Sequence, residues 1–464
     1  MILSLKQIYS LKNCYRVVYW IVGISFALST NSSIHAAHEN SEPHNFKPLT
    51  LKQAQEIALT QHPDLLSSEF QIKAGQEEVL QTEARYFPQI YGDAAGVAPN
   101  KKTNARIGTG TVEGITNPLI LKHVSYGVVI NQLITDFGQT SNLVSAAKSG
   151  VEAKIAKSLS VRDRVIFNAT RAYYNQLLAQ EILTVAQETL KVRNTLLEKI
   201  QLLYKSKMKA LFDVDIARQS VDEAKLLILN AQNDLDDAQA ELSQALGYGK
   251  LKHFSLTEEI STHPYTSTLE PLLEIAKRSN PDLITLRAEV LEKKFQYESA
   301  QAENYPTVSA TGFAGMNPVR EKSQMNSSYA TAGVTVDVPI FTGGLITAKE
   351  RKKLFEMKAL EKELISKENK LMRDVRQAWN NVQSSYQNIG VLKELFLNNV
   401  KGLELAQASY EFELISIVDL IQEHLKKTQS EVSFTKARYE YLINRSLLNL
   451  LLGDGGKICV DNPS

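Results

Sequence analysis

Two tyrosine–aspartate pairs stand out among the titratable residues, because each has the same internal spacing and the two lie 206 positions apart: Tyr204 with Asp213, and Tyr410 with Asp419. A carboxylate just past a turn is suited to capping a helix N-terminus, and a tyrosine on a helical seam is suited to packing. No other chemistry converges on them. His35, His38, His44 and His62 cluster only loosely, and no histidine or cysteine group has metal-ligand spacing. Gly343-Gly344 reads as a strand-to-helix joint, not a phosphate cradle, and Asp236-Asp237 reads as a solvated helix surface. The chain has no nucleophile elbow. These residues predict a protein that is not an enzyme, with no cofactor and no metal.

The elements that hold the two pairs come from a duplication. From Gly127 and Gly333, through both pairs, to Gly247 and Gly453, matching residues keep the spacing of 206 without a gap. Upstream, Ile57-Ala58 and Pro63-Asp64-Leu65 recur 218 positions later as Ile275-Ala276 and Pro281-Asp282-Leu283. The first copy therefore carries an insertion between Gly96 and Tyr126, where a loop absorbs it. The expected division is a leader at 1–37, a first repeat at 38–250, a linker at 251–270, a second repeat at 271–454 and a tail at 455–464.

The leader is expected from Lys6, Lys12 and Arg16 ahead of an apolar run, Val17 to Leu28, with cleavage near Ala36 or Ala37. A membrane anchor is the alternative, although the run is short for a bilayer. Cys14 would leave with the leader, so Cys459 could form no internal disulfide. A net charge of +1 over 464 residues, with no basic face, argues against a nucleic-acid partner.

Four short segments, two per repeat, break the helical texture. In Val334-Thr335-Val336-Asp337-Val338-Pro339-Ile340 the apolar side chains Val334, Val336, Val338 and Ile340 alternate with polar ones. The first-copy partner sets Tyr126, Val128, Ile130 and Ile134 against Gly127 and Asn131. The other pair covers about Gln89 to Val97 and Thr307 to Gly315, each after an aromatic-proline step, Phe87-Pro88 or Tyr305-Pro306. Such lengths fit tilted strands crossing a bilayer, with apolar faces to lipid. A soluble half-buried sheet on a helical core shares the pattern. Strands with free edges are not tolerated in hydrocarbon, so a membrane sheet of this size requires several chains to close.

Between the strands run heptad seams. One goes from Leu371 through Val375, Val382, Ile389 and Leu403 to Tyr410, and its first-copy counterpart goes from Val165 to Tyr204. A helix from Gln139 to Tyr204 would be about 100 Å long, unless broken near Gly150; Gly390 is the matching risk in the second copy. Each repeat thus holds a long coiled hairpin.

Taken together, the chain resembles the TolC-like outer-membrane efflux proteins of Gram-negative bacteria. The resemblance rests on the duplication, Asn280-Pro281-Asp282-Leu283, Val338-Pro339-Ile340-Phe341-Thr342-Gly343-Gly344, Ser409-Tyr410, Ile417-Val418-Asp419-Leu420 and Ala437-Arg438-Tyr439-Glu440-Tyr441-Leu442-Ile443-Asn444. It implies a mainly α chain with a membrane β part: a homotrimer with a twelve-stranded β-barrel, four strands per chain, continued by a periplasmic α-helical barrel. The implied function is an outer-membrane duct for drug or metal efflux or type I protein secretion, working with a periplasmic adaptor and an inner-membrane transporter. The resemblance also gives Asp419, Tyr410, Asp213 and Tyr204 a role in closing the periplasmic mouth. Lys207 and Glu413 take the adaptor-docking tip, and Val334, Val336 and Val338 take the lipid.

Departures are confined to the tips. Ile415 stands where the family's gating arginine is expected, and Gln422 replaces a second acidic residue one turn beyond Asp419. Three carboxylates per ring instead of six would weaken cation attraction. The usual tip glycines are replaced by Lys207 and Glu413. The competing class is a periplasmic coiled-coil adaptor or structural protein, but that would be expected to carry one hairpin, not two interleaved with four strands.

Overall fold

The computed structural model describes residues 48–97, 123–257, 262–317 and 327–453. The expected leader with Cys14, His35, His38 and His44, most of the insertion after Gly96, and the tail with Cys459 lie outside the described residues. The first copy runs α1 (Leu51–Gln61), α2 (Pro63–Glu83), β1 (Gln89–Val97), β2 (His123–Thr135), α3 (Gln139–Lys205) and α4 (Leu211–Ala245). The second repeats the order as α5 (Leu269–Ser279), α6 (Pro281–Ala302), β3 (Thr307–Asn317), β4 (Ser327–Asp337), α7 (Leu345–Glu411) and α8 (Ile417–Leu452).

The repeated Pro-Asp-Leu motif is helix-start chemistry. His62 Nδ1 accepts from the Asp64 N–H at 3.2 Å, and Asn280 Oδ1 accepts from Asp282 and Leu283 at 3.0 and 3.3 Å. Proline then fills the first helical position, where its missing N–H costs nothing, and the aspartate meets the helix dipole. The glycine ending each repeat docks on this cap. A Cβ on Gly247 (φ +85°) would meet His62 Cα at 3.0 Å, and one on Gly453 (φ +73°) would press on Ser279 and Asn280. Only glycine fits both the conformation and the space.

Both long helices are continuous through Gly150 and Gly390, at 67 residues or about 100 Å each. Their seams bury the expected residues: Ala169, Ala172 and Ile200 on α3, and Val375, Ala378 and Val382 on α7, all with little or no exposure. On α4, Ala217, Val221, Ala224 and Leu242 are buried in turn. Alanines at these steps let the helices approach closely, so replacing Leu242 by alanine would cost about 2–5 kcal/mol. Among the described residues, no helix is long and apolar enough to cross a membrane.

The stretch expected as a linker is tied down. Leu49 pairs with Leu256, and the buried Tyr173 hydroxyl donates to the carbonyls of Leu49 (2.9 Å) and Thr257 (2.7 Å). On the other hairpin, Tyr441 donates to His263, and Trp379 donates to Ser267 at 3.0 Å. The strap thus holds the middle of both hairpins.

The four strands form one antiparallel sheet in chain order, with β1 and β4 as its edges. Directly opposed residues share a face. Ile90 faces Ile130, which faces Gly312, which faces Ala332; Val128 faces Ala314; Ala310 faces Val334; and Val308 faces Val336. These apolar residues of all four strands therefore share one face. Gln132 interrupts it at the helical end, with its amide bonded to the carbonyls of Tyr86 and Leu133. The other face carries Gln89, Asn131 and Thr311 in one row, the apolar Tyr91, Val129 and Phe313 in the next, and Asp93 in a third.

Two strand expectations are corrected. β4 stops at Asp337, opposite Thr307, the first residue of β3. Pro306 and Pro339 lack the N–H groups that a longer ladder needs, so Val338 and Ile340 lie beyond the strand. In β2 the register shifts between Leu133 and Thr135, which leaves Ile134 without an opposite residue and outside the alternation of Tyr126, Val128 and Ile130.

Candidate functional site at the hairpin tips

The two hairpins turn through backbones that are nearly superimposable in dihedral space. Ser206 and Phe412 end the long helices, Lys207 (φ 60°) and Glu413 (φ 58°) enter the left-handed region, and Ala210 (φ −85°, ψ 160°) and Ser416 (φ −79°, ψ 162°) cap the return helices. Bonds from Met208 N–H to Leu203 and from Leu414 N–H to Ser409, both 2.9 Å, close the two turns alike. The positions where the resemblance leads one to expect glycine are thus left-handed, and non-glycine side chains there cost about 1–2 kcal/mol each.

Asp213 and Asp419 both stand at the third position of the return helix. Asp213 Oδ2 accepts from the Ala210 N–H at 3.1 Å. Asp419 Oδ2 accepts from the Ser416 N–H at 3.0 Å and its hydroxyl at 2.6 Å, while Ser416 Oγ accepts from the Asp419 N–H at 3.2 Å. The side-chain and backbone bonds from Ser416 hold the Asp419 carboxyl below its ordinary pKa. Both aspartates therefore have the local capping role.

Beyond the caps the two copies part company. Tyr410 is buried at 5 % exposure, in a cluster with Ile200, Val214, Ala217, Ala406, Ile417 and Leu420 that joins the two tips. Tyr204, its counterpart, is 42 % exposed. Among the described residues, the Tyr410 hydroxyl has no hydrogen-bond partner. Burial, and then the carboxylates of Asp213 and Glu413, push its pKa up, so it stays a neutral phenol. Asp213 of the first copy therefore acts on Tyr410 of the second, and Asp419 is exposed. The structure brings together Tyr410, Asp213 and Glu413, and leaves Tyr204, Asp419 and Lys207 facing outward.

Three features escape the sequence reading. Lys209 Nζ lies 3.5 Å from Glu413 Oε1 and 5.0 Å from the centre of the Tyr410 ring, bridging one tip to the other. Lys199 on α3 pairs with Glu411 on α7 at 2.8 Å. Further from the tips, Arg193 of α3 is buried, and among the described residues its Nε and Nη1 atoms have no hydrogen-bond partner. Near it, His424 of α8 is held to a pKa of about 4 by burial, then by Arg193 and Lys427. Lys209 was readable: it stands 206 positions before Ile415, so the cation absent from the second copy is present in the first. Arg193 and His424 lie far apart in the chain, and no spacing links them. Among the described residues, no group of three or more histidine, cysteine, aspartate or glutamate side chains is placed to hold a metal ion.

The profile of the outer membrane efflux protein family matches residues 55–248 and 272–454, the two copies almost end to end. Outer membrane protein TolC of Vibrio cholerae is 24 % identical over 93 % of this chain and 94 % of its own length. The match to TolC of Escherichia coli K12, at 23 % identity, spans 62 % of this chain and 61 % of that protein. The cation efflux system protein CusC of Escherichia coli K12 is 22 % identical over 93 % of both chains. A crystal structure of CusC superposes with a TM-score of 0.75 at 19 % identity, covering 87 % of this chain and 91 % of that one, and this likeness carries the fold. With two copies of strand pair and long hairpin, and with the profile spanning both, the chain belongs to the outer membrane efflux protein family and is an outer-membrane channel for export.

Proposed function

We propose that three copies of this chain build one duct, in which four strands from each close a twelve-stranded barrel and six hairpins form the periplasmic tube. The observation that carries this reading is the sheet: Ile90, Ile130, Val308 and Val336 share one face across the four strands, yet β1 and β4 are unpaired edges, which hydrocarbon does not tolerate. Exposed apolar side chains on the flanking helices, Phe70 on α2 and Phe355 on α7, support closure by further copies along the tube. Val334 and Val336 then face lipid.

At the periplasmic end the six tips form the entrance. Tyr410 and Asp213 meet within one chain, and the duplication leads Tyr204 and Asp419 to meet between neighbouring chains. Lys207 and Glu413, at the outermost turn, present the surface on which a periplasmic adaptor docks. Energy comes from an inner-membrane transporter, and the cargo is a drug, a metal ion or a secreted protein passed along a shared exit. The two structural repeats, 38–250 and 271–454, are the units that alternate around the ring.

The test is the mass of the detergent-solubilised protein by light scattering, together with ion conduction in planar bilayers. A conducting trimer is expected; a monomer that does not conduct overturns the reading. Val336→Asp sets a charge on the lipid face and is expected to abolish assembly. Photo-crosslinking in cells from Lys207 and Glu413, read by mass spectrometry, is expected to capture the adaptor and thereby identify the class of cargo.

A further inference from the structure

At the end of the chain away from the tips, two cavities sit where the helices meet the sheet. One, about 450 Å³, is lined across four helices by Glu78 of α2, Leu143 of α3, Glu292 of α6 and Lys353 of α7. The other, about 310 Å³, is lined by Gln89, Asn131 and Ser309 of the sheet. Arg85 and Gln139 line both, so the two form one continuous groove. Gln89, Asn131 and Ser309 stand on the face opposite Ile90, Ile130 and Val336. The groove therefore runs on the side away from lipid, which in a closed three-copy ring is the wall of the lumen.

Arg85 lies in the turn of 3-10 helix that follows α2, with its side chain exposed. The charged groups around it have other partners. Glu78 pairs with Lys154 at 3.1 Å, Glu83 with Lys148 at 2.9 Å, Glu303 with Lys349, and Lys353 with Glu356 at 3.1 Å. The buried Asp136 accepts from the Thr140 N–H at 2.8 Å, at the start of α3. Glu292 accepts from the Gln296 amide at 2.8 Å, and burial raises its pKa. Among the described residues, Arg85 makes no ion pair.

The duplication accounts for this isolation. At the spacing of 218 Arg85 becomes Glu303, and at the spacing of 206 Leu143 becomes Lys349. The second copy closes this position with an ion pair, whereas the first sets arginine against a half-buried leucine. Across the seam to the next chain, the bond from Gln139 to Glu303 (3.4 Å) becomes Leu345 with Arg85, again without a counter-charge. On that stretch of α7, Lys349 pairs with Glu303, and Glu350 accepts from Gln301 at 3.2 Å.

We propose that Arg85 is a charge-selecting residue of the duct: three copies set a cationic ring in the lumen at the base of the barrel, which favours anionic cargo. The proposal rests on the three-copy ring described above. Arginine stays charged at any working pH. The ring lies nearly the length of α3, about 100 Å, from the carboxylates of Asp419, against a screening length of about 30 Å even in 0.01 M salt, so the two act independently.

The test uses full-length protein in planar bilayers, reading the reversal potential in a potassium chloride gradient from about 0.01 to about 0.1 M, where screening is weak. Arg85→Gln is expected to raise the preference for potassium over chloride about two-fold, and Arg85→Glu about four-fold. Arg85→Lys keeps the charge and is expected to match the parent. Leu143→Glu supplies the missing counter-charge beside the intact arginine, is expected to give the shift of Arg85→Gln, and decides the matter if that variant does not assemble. An unchanged reversal potential in Arg85→Gln, or a shift in Arg85→Lys as large as in Arg85→Gln, overturns the inference. Light scattering separates this from failure of the ring itself: a parent that is not trimeric removes the three-copy reading, whereas a trimer whose selectivity ignores Arg85 removes only this inference.

Discussion

The two hairpin tips share one backbone and have two different surfaces. Lys207 and Glu413 take φ values of 60° and 58°, and Asp213 and Asp419 each accept from the N–H of the residue capping their helix. Yet Tyr410 is buried where Tyr204 is exposed, and Asp213 lies near a phenol where Asp419 faces outward. Dihedral angles respond to neighbours a few residues away, and these were duplicated with the chain. Burial responds to the element packed alongside, and within one chain each tip has such a neighbour on only one side.

The largest break in this comparison is expected at the tyrosines. Tyr410→Ala empties a packed cluster and should cost about 3–5 kcal/mol in a denaturant titration. Tyr204→Ala should cost under about 0.5 kcal/mol if its surface stays open. An equal loss for Tyr204→Ala in the detergent-solubilised assembly would mean that a neighbouring chain buries it as fully as Tyr410. Tyr410→Phe, which removes the unpartnered hydroxyl, is expected to be neutral or slightly stabilising.

Acid should separate the copies next. His424 in the second copy has a folded pKa of about 4 against 6.5 unfolded, set by burial, Arg193 and Lys427. The unfolded chain binds the proton first as pH falls. Its contribution is therefore fully present above pH 6.5 and is lost progressively down to about 4, by about 3 kcal/mol. Thermal unfolding followed across that window should show the loss in the parent and not in His424→Leu. The counterpart position, Arg218, is exposed.

Where the copies agree, matched substitutions should agree as well. Lys207→Gly and Glu413→Gly each relieve a left-handed residue and are expected to stabilise by about 1 kcal/mol, read as equal shifts in denaturation midpoint. Unequal shifts would show that the side chains, not the backbone, decide the turns. Smallest of all, Asp213→Ala and Asp419→Ala each remove a cap acceptor and should cost about 0.5–1 kcal/mol. Only Asp419→Ala is expected also to lower cation selectivity, seen as a changed reversal potential in a salt gradient.

Much of the fold was legible because its signals are local and occur twice. The helix from Gln139 ends at Lys205, one residue from the expected end, since an unbroken heptad pattern and two flanking turns define it. The strand Gln89–Val97 also keeps its expected bounds. Val338 was misread because alternation continues past Asp337 in the sequence, while the ladder ends where β3 begins. At the tips, the capping aspartates follow from their position after a turn. Lys209 was readable only as the cation at the offset position of Ile415; its contacts were hidden, because its partners Tyr410 and Glu413 lie about 200 residues away.

Periodicity, turn residues and a constant offset were enough to establish from sequence the duplication, the long hairpins, the alternating strands and the family they resemble, because each is a relation between residues close in the chain or equivalent in its two copies. Which face of the sheet gathers the apolar residues, which tyrosine is buried, and which tip a lysine reaches were decided by tertiary structure. Those depend on register and on the side from which one copy packs against the other, and a duplication that preserves every local relation leaves that side undetermined.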